Sequence, residues 1–303
     1  MVSLKVSLSG LELDNPIIPA SGTFGFGQEF NEFYDINILG SIAIKGTTLN
    51  ERYGNELPRI AECKEGLINS VGLQNPGIFH VVDVELKELA KIYHKKVIAN
   101  ISGFSVEEYV NVAKKMDEAS NVGIIEVNIS CPNVHNGGMS YGVDPESAAL
   151  ITRSVKKVCK KPVYIKLSPN VTDIVSIAKA VEEAGADGIC LINTLLGMRI
   201  DIKRRQPVIK NKMGGFSGPA IFPIALRMVY QVSKAVKIPV IGIGGISSVD
   251  DVIEMMMAGA SAVQIGAQNL VNPLVCKEII ESLPTRLEEL GFKDIKEIIG
   301  LVK

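Results

Sequence analysis

One stretch of this chain reads Ile124-Ile125-Glu126-Val127-Asn128-Ile129-Ser130-Cys131-Pro132-Asn133. Its first half is mostly apolar and β-branched, which is typical of a strand covered on both faces within a parallel sheet. Pro132 then ends the strand, and the residues around it are polar. Short runs of the same kind recur along the chain. We predict eight strands, at residues 17–20, 42–45, 97–101, 124–129, 163–167, 188–193, 240–243 and 262–265.

The segments between these runs carry helix signals. Ser105 and Glu108 have the spacing of a capping box, in which each side chain accepts a hydrogen bond from the other residue's backbone amide. Asp144 stands before Pro145, which places a cap residue ahead of a proline at the first helical position. Apolar residues between positions 172 and 185 recur at helical spacing and predict an amphipathic helix.

Strands that alternate with helices in this way predict a (β/α)8 TIM barrel, and we expect residues 1–303 to form a single domain. A doubly wound open sheet is the alternative that the pattern leaves open. Two connections, 46–79 and 194–218, are too long for plain turns. Both follow the C-terminal ends of strands, where barrels build their active sites. The second connection is basic and contains glycine, so we interpret it as a mobile lid.

Composition excludes several classes of function. The 303 residues are 47% hydrophobic, enough for a large core, and the net charge of −1 argues against nucleic acid or an anionic membrane as partner. Five scattered cysteines argue against a disulfide framework or a structural metal site. The N-terminus alternates like a strand rather than a signal peptide, and no apolar run reaches the roughly 18 residues of a membrane span. We therefore expect a cytoplasmic protein without a metal.

Polar residues and glycines follow the predicted strands at the end where a barrel binds its ligand. Lysine and asparagine in that position are difficult to explain by packing, because unpaired charge in a barrel mouth is costly. Glycines after the last two strands predict a phosphate site, since their backbone can approach an anion closely. These residues are Ser21, Lys45, Asn100, Asn128, Lys166, Asn193, Thr194, Gly244, Gly245 and Gly266.

Cys131 is the candidate catalytic residue. Asn128 and Asn133 flank it, and their amides can donate and accept hydrogen bonds. Such amides can orient a heterocycle rich in amide groups while a thiolate removes a proton from it. Three other cysteines are interpreted as inert core residues, namely Cys159, Cys190 and Cys276.

Several longer motifs occur together over nearly the whole chain. They are Pro19-Ala20-Ser21-Gly22, Asn69-Ser70-Val71-Gly72-Leu73-Gln74-Asn75-Pro76-Gly77, Asn128-Ile129-Ser130-Cys131-Pro132-Asn133, Asn193-Thr194-Leu195-Leu196-Gly197-Met198, and glycine turns near 244 and 266. Each motif alone is weak, but the combination resembles the class 1 dihydroorotate dehydrogenases, and among them the class 1B catalytic subunit. One departure is Ala267, where relatives usually carry threonine, so a hydroxyl contact to phosphate would be absent.

The resemblance implies a barrel that binds one FMN and oxidises (S)-dihydroorotate to orotate in pyrimidine (UMP) biosynthesis. Cys131 would take the proton from C5 of the substrate while a hydride leaves C6 for the flavin. Substrate contacts would come from Lys45, Asn69, Val71, Gly72, Leu73, Asn128, Asn133, Asn193 and Thr194. Flavin and phosphate contacts would come from Ser21, Lys45, Gly46, Asn100, Asn128, Lys166, Ile192, Gly218, Gly244, Gly245, Gly266 and Ala267.

The reduced flavin also needs an oxidant. The chain has neither a Cys-x-x-Cys motif nor a Rossmann fingerprint. The class 1B resemblance implies a partner subunit that carries FAD and a [2Fe–2S] cluster and passes electrons to NAD+. The assembly would be a heterotetramer built around a homodimer of this chain.

Three other functions stay open from the sequence. A class 1A enzyme would use fumarate without a partner, and a dihydropyrimidine dehydrogenase-like enzyme would act on uracil or thymine. A flavin-free phosphate-binding barrel, such as an aldolase, would use Lys166 or Lys45 to form a Schiff base.

Overall fold

The computed structural model describes residues 2–129 and 141–302, so Cys131 and Asn133 lie outside the described residues. Eight strands form its largest sheet. In chain order they are β1 (Ile17–Pro19), β2 (Ala43–Thr47), β3 (Val97–Ile101), β4 (Val122–Asn128), β5 (Val163–Lys166), β6 (Gly188–Leu191), β7 (Val240–Ile243) and β8 (Ala262–Ile265).

The strand order confirms the predicted TIM barrel. Parallel pairs run in chain order from β2 to β8, and β8 then pairs with β1. A doubly wound sheet would reverse its order at a switch point, and this sheet does not, so that alternative is wrong. The sheet curves into a nearly closed barrel whose two ends are β1 and β2.

Helices cover the outside of the barrel, which is why its strands are buried on both faces. A π-helical turn, Val81–Glu85, joins two of the helical segments. The α-helices are Gln28–Asn31, Ile78–His80, Leu86–Ile92, Val106–Asp117, Pro145–Lys156, Ile174–Glu183, Phe222–Ala235, Val249–Met257, Gln268–Val271 and Val275–Glu289. Within the described ranges, none of the helices combines the length and the apolar character needed to cross a bilayer.

The predicted helix caps are mostly present. Asp144 accepts a hydrogen bond from the Ser147 amide at 2.8 Å, with Pro145 in the first turn as predicted. Ser105 accepts from the Glu108 amide at 3.2 Å. The Glu108 carboxylate, however, accepts from the Phe104 amide at 2.7 Å rather than from Ser105. The predicted capping box is therefore half formed.

The two long connections form one antiparallel sheet instead of separate loops. The first contributes Ile60–Cys63 and Gly66–Asn69, and the second contributes Leu195–Met198 and Met213–Ser217. Met213–Ser217 pairs with both Leu195–Met198 and Gly66–Asn69, which joins the two connections edge to edge. The segment interpreted as a mobile lid is thus held by backbone hydrogen bonds. Its basic residues cluster around a small outer hairpin of Ile200–Asp201 with Gln206–Pro207.

The opposite end of the barrel is tied to the N-terminal hairpin, Val6–Leu8 with Leu11–Leu13. Ser9, at the turn, has its hydroxyl 2.9 Å from the Tyr164 hydroxyl and donates to the Asp187 carbonyl at 2.8 Å. The Tyr164 ring is fully buried and occupies the space beside Gly188 on the next strand. A Cβ at position 188 would lie 2.3 Å from ring atoms of Tyr164, so this position requires glycine.

We expect Gly188→Ala to lower the free energy of unfolding by about 1–3 kcal/mol, because the new methyl group overlaps a ring that cannot move away. Urea unfolding of the variant, stripped of any bound ligand, measures this change. The control is Gly266→Ala, where a Cβ would meet only the Ala20 Cβ at 3.8 Å. Equal midpoints for the wild type and Gly188→Ala would contradict the packing argument.

Candidate active site

A cavity of about 240 Å³ opens at the C-terminal ends of the barrel strands. The antiparallel sheet forms part of its wall, through residues such as Leu67 and Ser217. The cavity brings together most of the residues predicted from the sequence. These are Ser21, Lys45, Gly46, Asn69, Val71, Gly72, Leu73, Asn100, Asn128, Ile192, Asn193, Thr194, Gly218, Gly244, Gly245, Gly266 and Ala267.

Sequence reasoning also missed part of the wall. Apolar side chains from both the barrel and the antiparallel sheet line the cavity, and their types gave no signal that separates a ligand wall from ordinary core. They are Ile60, Leu67, Ile221, Ile243 and Leu270. An apolar wall with a few polar groups suits a planar ligand with polar edges.

Lys45 provides a cation in this cavity. Its side chain is half-buried on β2, and no carboxylate of the described residues lies within 4 Å of its ammonium group. Burial, assisted by the nearby charge of Arg59, holds the pKa of Lys45 below its usual value. A partly desolvated ammonium without a counter-ion can attract an anionic ligand or stabilise negative charge that develops on one.

The glycines after β7 and β8 differ in whether packing and backbone conformation demand glycine at their positions. A Cβ at Gly244 would lie 2.8 Å from the Ala225 Cβ, and one at Gly245 would lie 2.6 Å from the Phe222 nitrogen. Both also have positive φ, 129° and 75°, so protein packing and backbone conformation explain them. Gly266 has neither constraint, since its Cβ would meet only Ala20 at 3.8 Å. The space beside Gly266 is therefore open among the described residues, and it lies on the cavity lining.

Asparagine amides form a second polar wall. Asn193 donates from its side chain to Oδ1 of Asn128 at 3.2 Å, and Oδ1 of Asn193 accepts from the Thr194 amide at 2.8 Å. Tyr109 donates to the Asn128 carbonyl at 2.8 Å, which fixes the end of β4. These neutral groups are held in place before any ligand binds. They can therefore orient a ligand that has both donors and acceptors.

The loop that supplies Asn69 and residues 71–73 is anchored by Asn75. The buried Asn75 amide donates to the Leu73 carbonyl at 2.7 Å and to the Thr48 hydroxyl at 2.8 Å. Its oxygen accepts from the amides of Thr48 and Gly77 at 3.2 and 2.9 Å. The sequence motif contained Asn75 but did not reveal this role, because the Thr48 partner lies 27 positions earlier, at the start of the same connection.

Lys166 is not among the residues that line the cavity, and its contact with the flavin stays a prediction. Its ammonium nitrogen lies 3.6 Å from Oε1 of Glu126, which is fully buried. Burial alone would raise the pKa of Glu126. The Lys166 charge and hydrogen bonds from Cys190, Gln264 and Asn100 outweigh that effect, and they hold the pKa below its usual value. Sequence reasoning treated Glu126 only as part of a buried strand.

The cysteines predicted as core residues have environments that suit that role. Burial and the neighbouring Glu126 carboxylate raise the pKa of the Cys190 thiol well above its usual value. Burial also raises the pKa of Cys276, and it raises that of Cys159 to about 12. Thiols of this kind stay protonated at neutral pH and do not serve as nucleophiles or bases.

Comparisons with known proteins point to one family. A family model described as "Dihydroorotate dehydrogenase" matches residues 3–287. Three similar proteins are each named "Dihydroorotate dehydrogenase B (NAD(+)), catalytic subunit". The one from Malacoplasma penetrans is 56% identical, over 98% of this chain and 97% of the relative. Those from Bacillus cytotoxicus and Halalkalibacterium halodurans are 58% and 56% identical, over 99% of this chain and 97% and 98% of the relatives.

We expect Asn75→Asp to loosen the loop over residues 69–77, since a carboxylate oxygen would then face the Leu73 carbonyl. Losing these bonds while the site stays buried costs about 1–3 kcal/mol. Amide hydrogen exchange in this loop should accelerate, while exchange in the barrel strands stays unchanged. Asn50→Asp is the control, because Asn50 is exposed on the same connection. Unchanged exchange in the Asn75 variant would show that the anchor is dispensable.

Proposed function

Because this chain belongs to the dihydroorotate dehydrogenase family, we propose that it oxidises (S)-dihydroorotate to orotate, a step of pyrimidine biosynthesis, in the cavity described above. The observation that carries the proposal is the cavity itself. It collects a half-buried cation, fixed asparagine amides and an open glycine turn at the carboxyl ends of the barrel strands. We take residues 1–303 to be one domain around this site.

The proposed cofactor is one FMN per chain. The space beside Gly266 suits a phosphate, with Gly244, Gly245 and Ala267 at its edges. Ala267 offers a backbone amide without the hydroxyl of threonine. The flavin ring would be bordered by Ser21, Lys45, Gly46, Asn100, Asn128, Ile192 and Gly218, with Lys166 behind them.

The proposed chemistry divides between cofactor and protein. FMN, when bound, supplies the acceptor for the hydride that leaves C6 of dihydroorotate. Cys131, which lies outside the described residues, is proposed as the base that takes the proton from C5. Lys45, Asn69, Asn128, Asn133, Asn193 and Thr194, with the backbone of residues 71–73, would hold the pyrimidine ring and the carboxylate. Neutral amides orient such a ring without removing its protons.

The electron acceptor is proposed from the names of the relatives. Those names specify NAD(+) and a catalytic subunit, and the second term implies a separate partner subunit. We propose that the partner carries FAD and a [2Fe–2S] cluster, and that two copies of this chain form the core of a heterotetramer. The assembly is proposed to be cytoplasmic.

The first test is a spectrum of the purified chain. We expect flavin absorbance that bleaches when dihydroorotate is added without oxygen. NAD+ reduction should require the partner subunit. A colourless protein that binds no added FMN would contradict the proposal, and brisk fumarate-dependent turnover by the chain alone would favour the class 1A alternative. Competitive inhibition by uracil but not by orotate would favour the dihydropyrimidine enzyme.

Cys131→Ser should retain FMN but reduce the flavin with dihydroorotate at least about 100-fold more slowly at neutral pH, because a hydroxyl is a far weaker base than a thiolate. Anaerobic stopped-flow spectroscopy measures this rate. Cys63→Ser is the control, since that partly buried thiol lies on the antiparallel sheet and outside the cavity lining. A wild-type rate in Cys131→Ser would remove this residue from the mechanism.

Gly266→Ala should weaken FMN binding about tenfold or more, because its methyl group would fill the space assigned to the phosphate. The free energy of unfolding of the flavin-free protein should not change. Titration of apoprotein with FMN, followed by flavin fluorescence, measures the affinity. An unchanged affinity would place the phosphate elsewhere.

A further inference from the structure

A buried polar cluster lies inside the barrel, next to the proposed flavin site, and centres on Glu126. The Glu126 carboxylate accepts hydrogen bonds from Asn100 Nδ2 and from Gln264 Nε2, both at 2.6 Å. The Lys166 ammonium is 3.6 Å away. These residues come from β3, β4, β5 and β8, so the cluster spans the barrel interior.

Fold stability does not account for this cluster. A buried carboxylate loses its hydration, and a buried ion pair is often no more stabilising than apolar side chains of similar volume. Apolar side chains otherwise dominate the buried strand positions of the described residues, and they form a core without charge. A charge retained at this position therefore points to a role beyond packing.

The carboxylate fixes which way the Asn100 amide faces. An ionised carboxylate only accepts hydrogen bonds, so Asn100 must turn its NH2 group toward Glu126. The Asn100 oxygen then faces Gly46, where a Cβ would lie 2.8 Å from it. Gly46 and Asn100 both line the cavity. Glu126 thus makes Asn100 present a hydrogen-bond acceptor at the cavity wall.

The same carboxylate also pairs with the ammonium group of Lys166. Lys166 is the last residue of β5 and pairs in register with Asn128, which lines the cavity. Its side chain is 8% exposed. Among the described residues, Glu126 is the one whose carboxylate lies within 4 Å of the Lys166 nitrogen. Without that partner, an ammonium group so deeply buried would be an uncompensated charge.

We propose that Glu126 is a positioning residue of the flavin site, which fixes the Asn100 amide and the Lys166 ammonium and so sets the affinity and reduction potential of the bound flavin. This inference rests on the proposed flavin function. Glu126 itself does not line the cavity, so it acts through the two residues that it contacts.

Glu126→Gln is the principal test. We expect FMN to bind about tenfold more weakly, because an amide in place of the carboxylate no longer dictates the Asn100 orientation. The reduction potential of the bound flavin should become more positive, since Lys166 keeps its charge but loses its counter-ion, and a cation favours the reduced anionic ring. Spectroelectrochemical titration of the flavin-loaded variant measures the potential.

Asp187→Asn is the matched control. Asp187 pairs with Lys156 at 2.5 Å and accepts from the Val163 amide at 2.7 Å, at the opposite end of the barrel. The same exchange of carboxylate for amide should lower thermal stability there and leave the flavin potential unchanged. A shift in this variant as large as that in Glu126→Gln would mean that the effect is structural, which overturns the proposal.

A double variant tests the route through Lys166. If Glu126 acts on the potential through this lysine, Glu126→Gln/Lys166→Met has the potential of Lys166→Met alone. It also leaves no unpaired buried charge, so it stays measurable if the single variant does not fold. If the reduction potential of the double variant differs from that of Lys166→Met by as much as Glu126→Gln differs from the wild type, Glu126 does not act through Lys166, which overturns this route.

The remaining outcomes are also decisive. A negative shift in Glu126→Gln would overturn the proposal, because the retained Lys166 charge predicts the opposite sign. Bound flavin with wild-type affinity and potential in Glu126→Gln would overturn it. A wild-type protein that binds no FMN would instead overturn the proposed function, so the two failures are distinguishable.

Discussion

The parallel hydrogen-bond ladder of the barrel is the constraint on which the site depends. It runs from β2 to β8 and on to β1, so all eight carboxyl ends meet at one edge. Residues up to about 250 positions apart in sequence, such as Ser21 and Ala267, thereby line one cavity. The ladder also places Asn100 beside Glu126 and Asn128 beside Lys166 through its register. Site geometry here is a consequence of strand pairing.

Local sequence patterns predicted the barrel well. β3, β7 and β8 begin and end at the predicted residues, because each is a short and mostly apolar run bounded by polar or turn-forming residues. β6 stops at Leu191 instead of residue 193, since the chain there turns into the cavity wall at Ile192 and Asn193. Most predicted site residues line one cavity because strand-end positions follow directly from the fold. Their chemical roles came from the family resemblance rather than from the pattern.

Non-local partners explain what the sequence did not reveal. Glu126 looked like one polar residue in an apolar strand, and its partner Gln264 lies 138 positions away. Asn75 looked like part of a motif, although its structural role depends on Thr48. The connection interpreted as a lid belongs to a sheet, because its Gly215 pairs with Asn69 of the other connection. These two residues are also far apart in the sequence. Hydrogen bonds of this kind have no periodic signature, so they become visible only in three dimensions.

The pairing of the two long connections has a consequence for engineering this scaffold. Met213–Ser217 is the central link, and each of its edges is satisfied by a strand from a different connection. A chimera that imports only one connection from another barrel would leave a row of amide and carbonyl groups without partners beside the cavity, exposed to misassembly. The two segments therefore form a single exchangeable module. Grafting a new specificity onto this barrel requires both to be transplanted together.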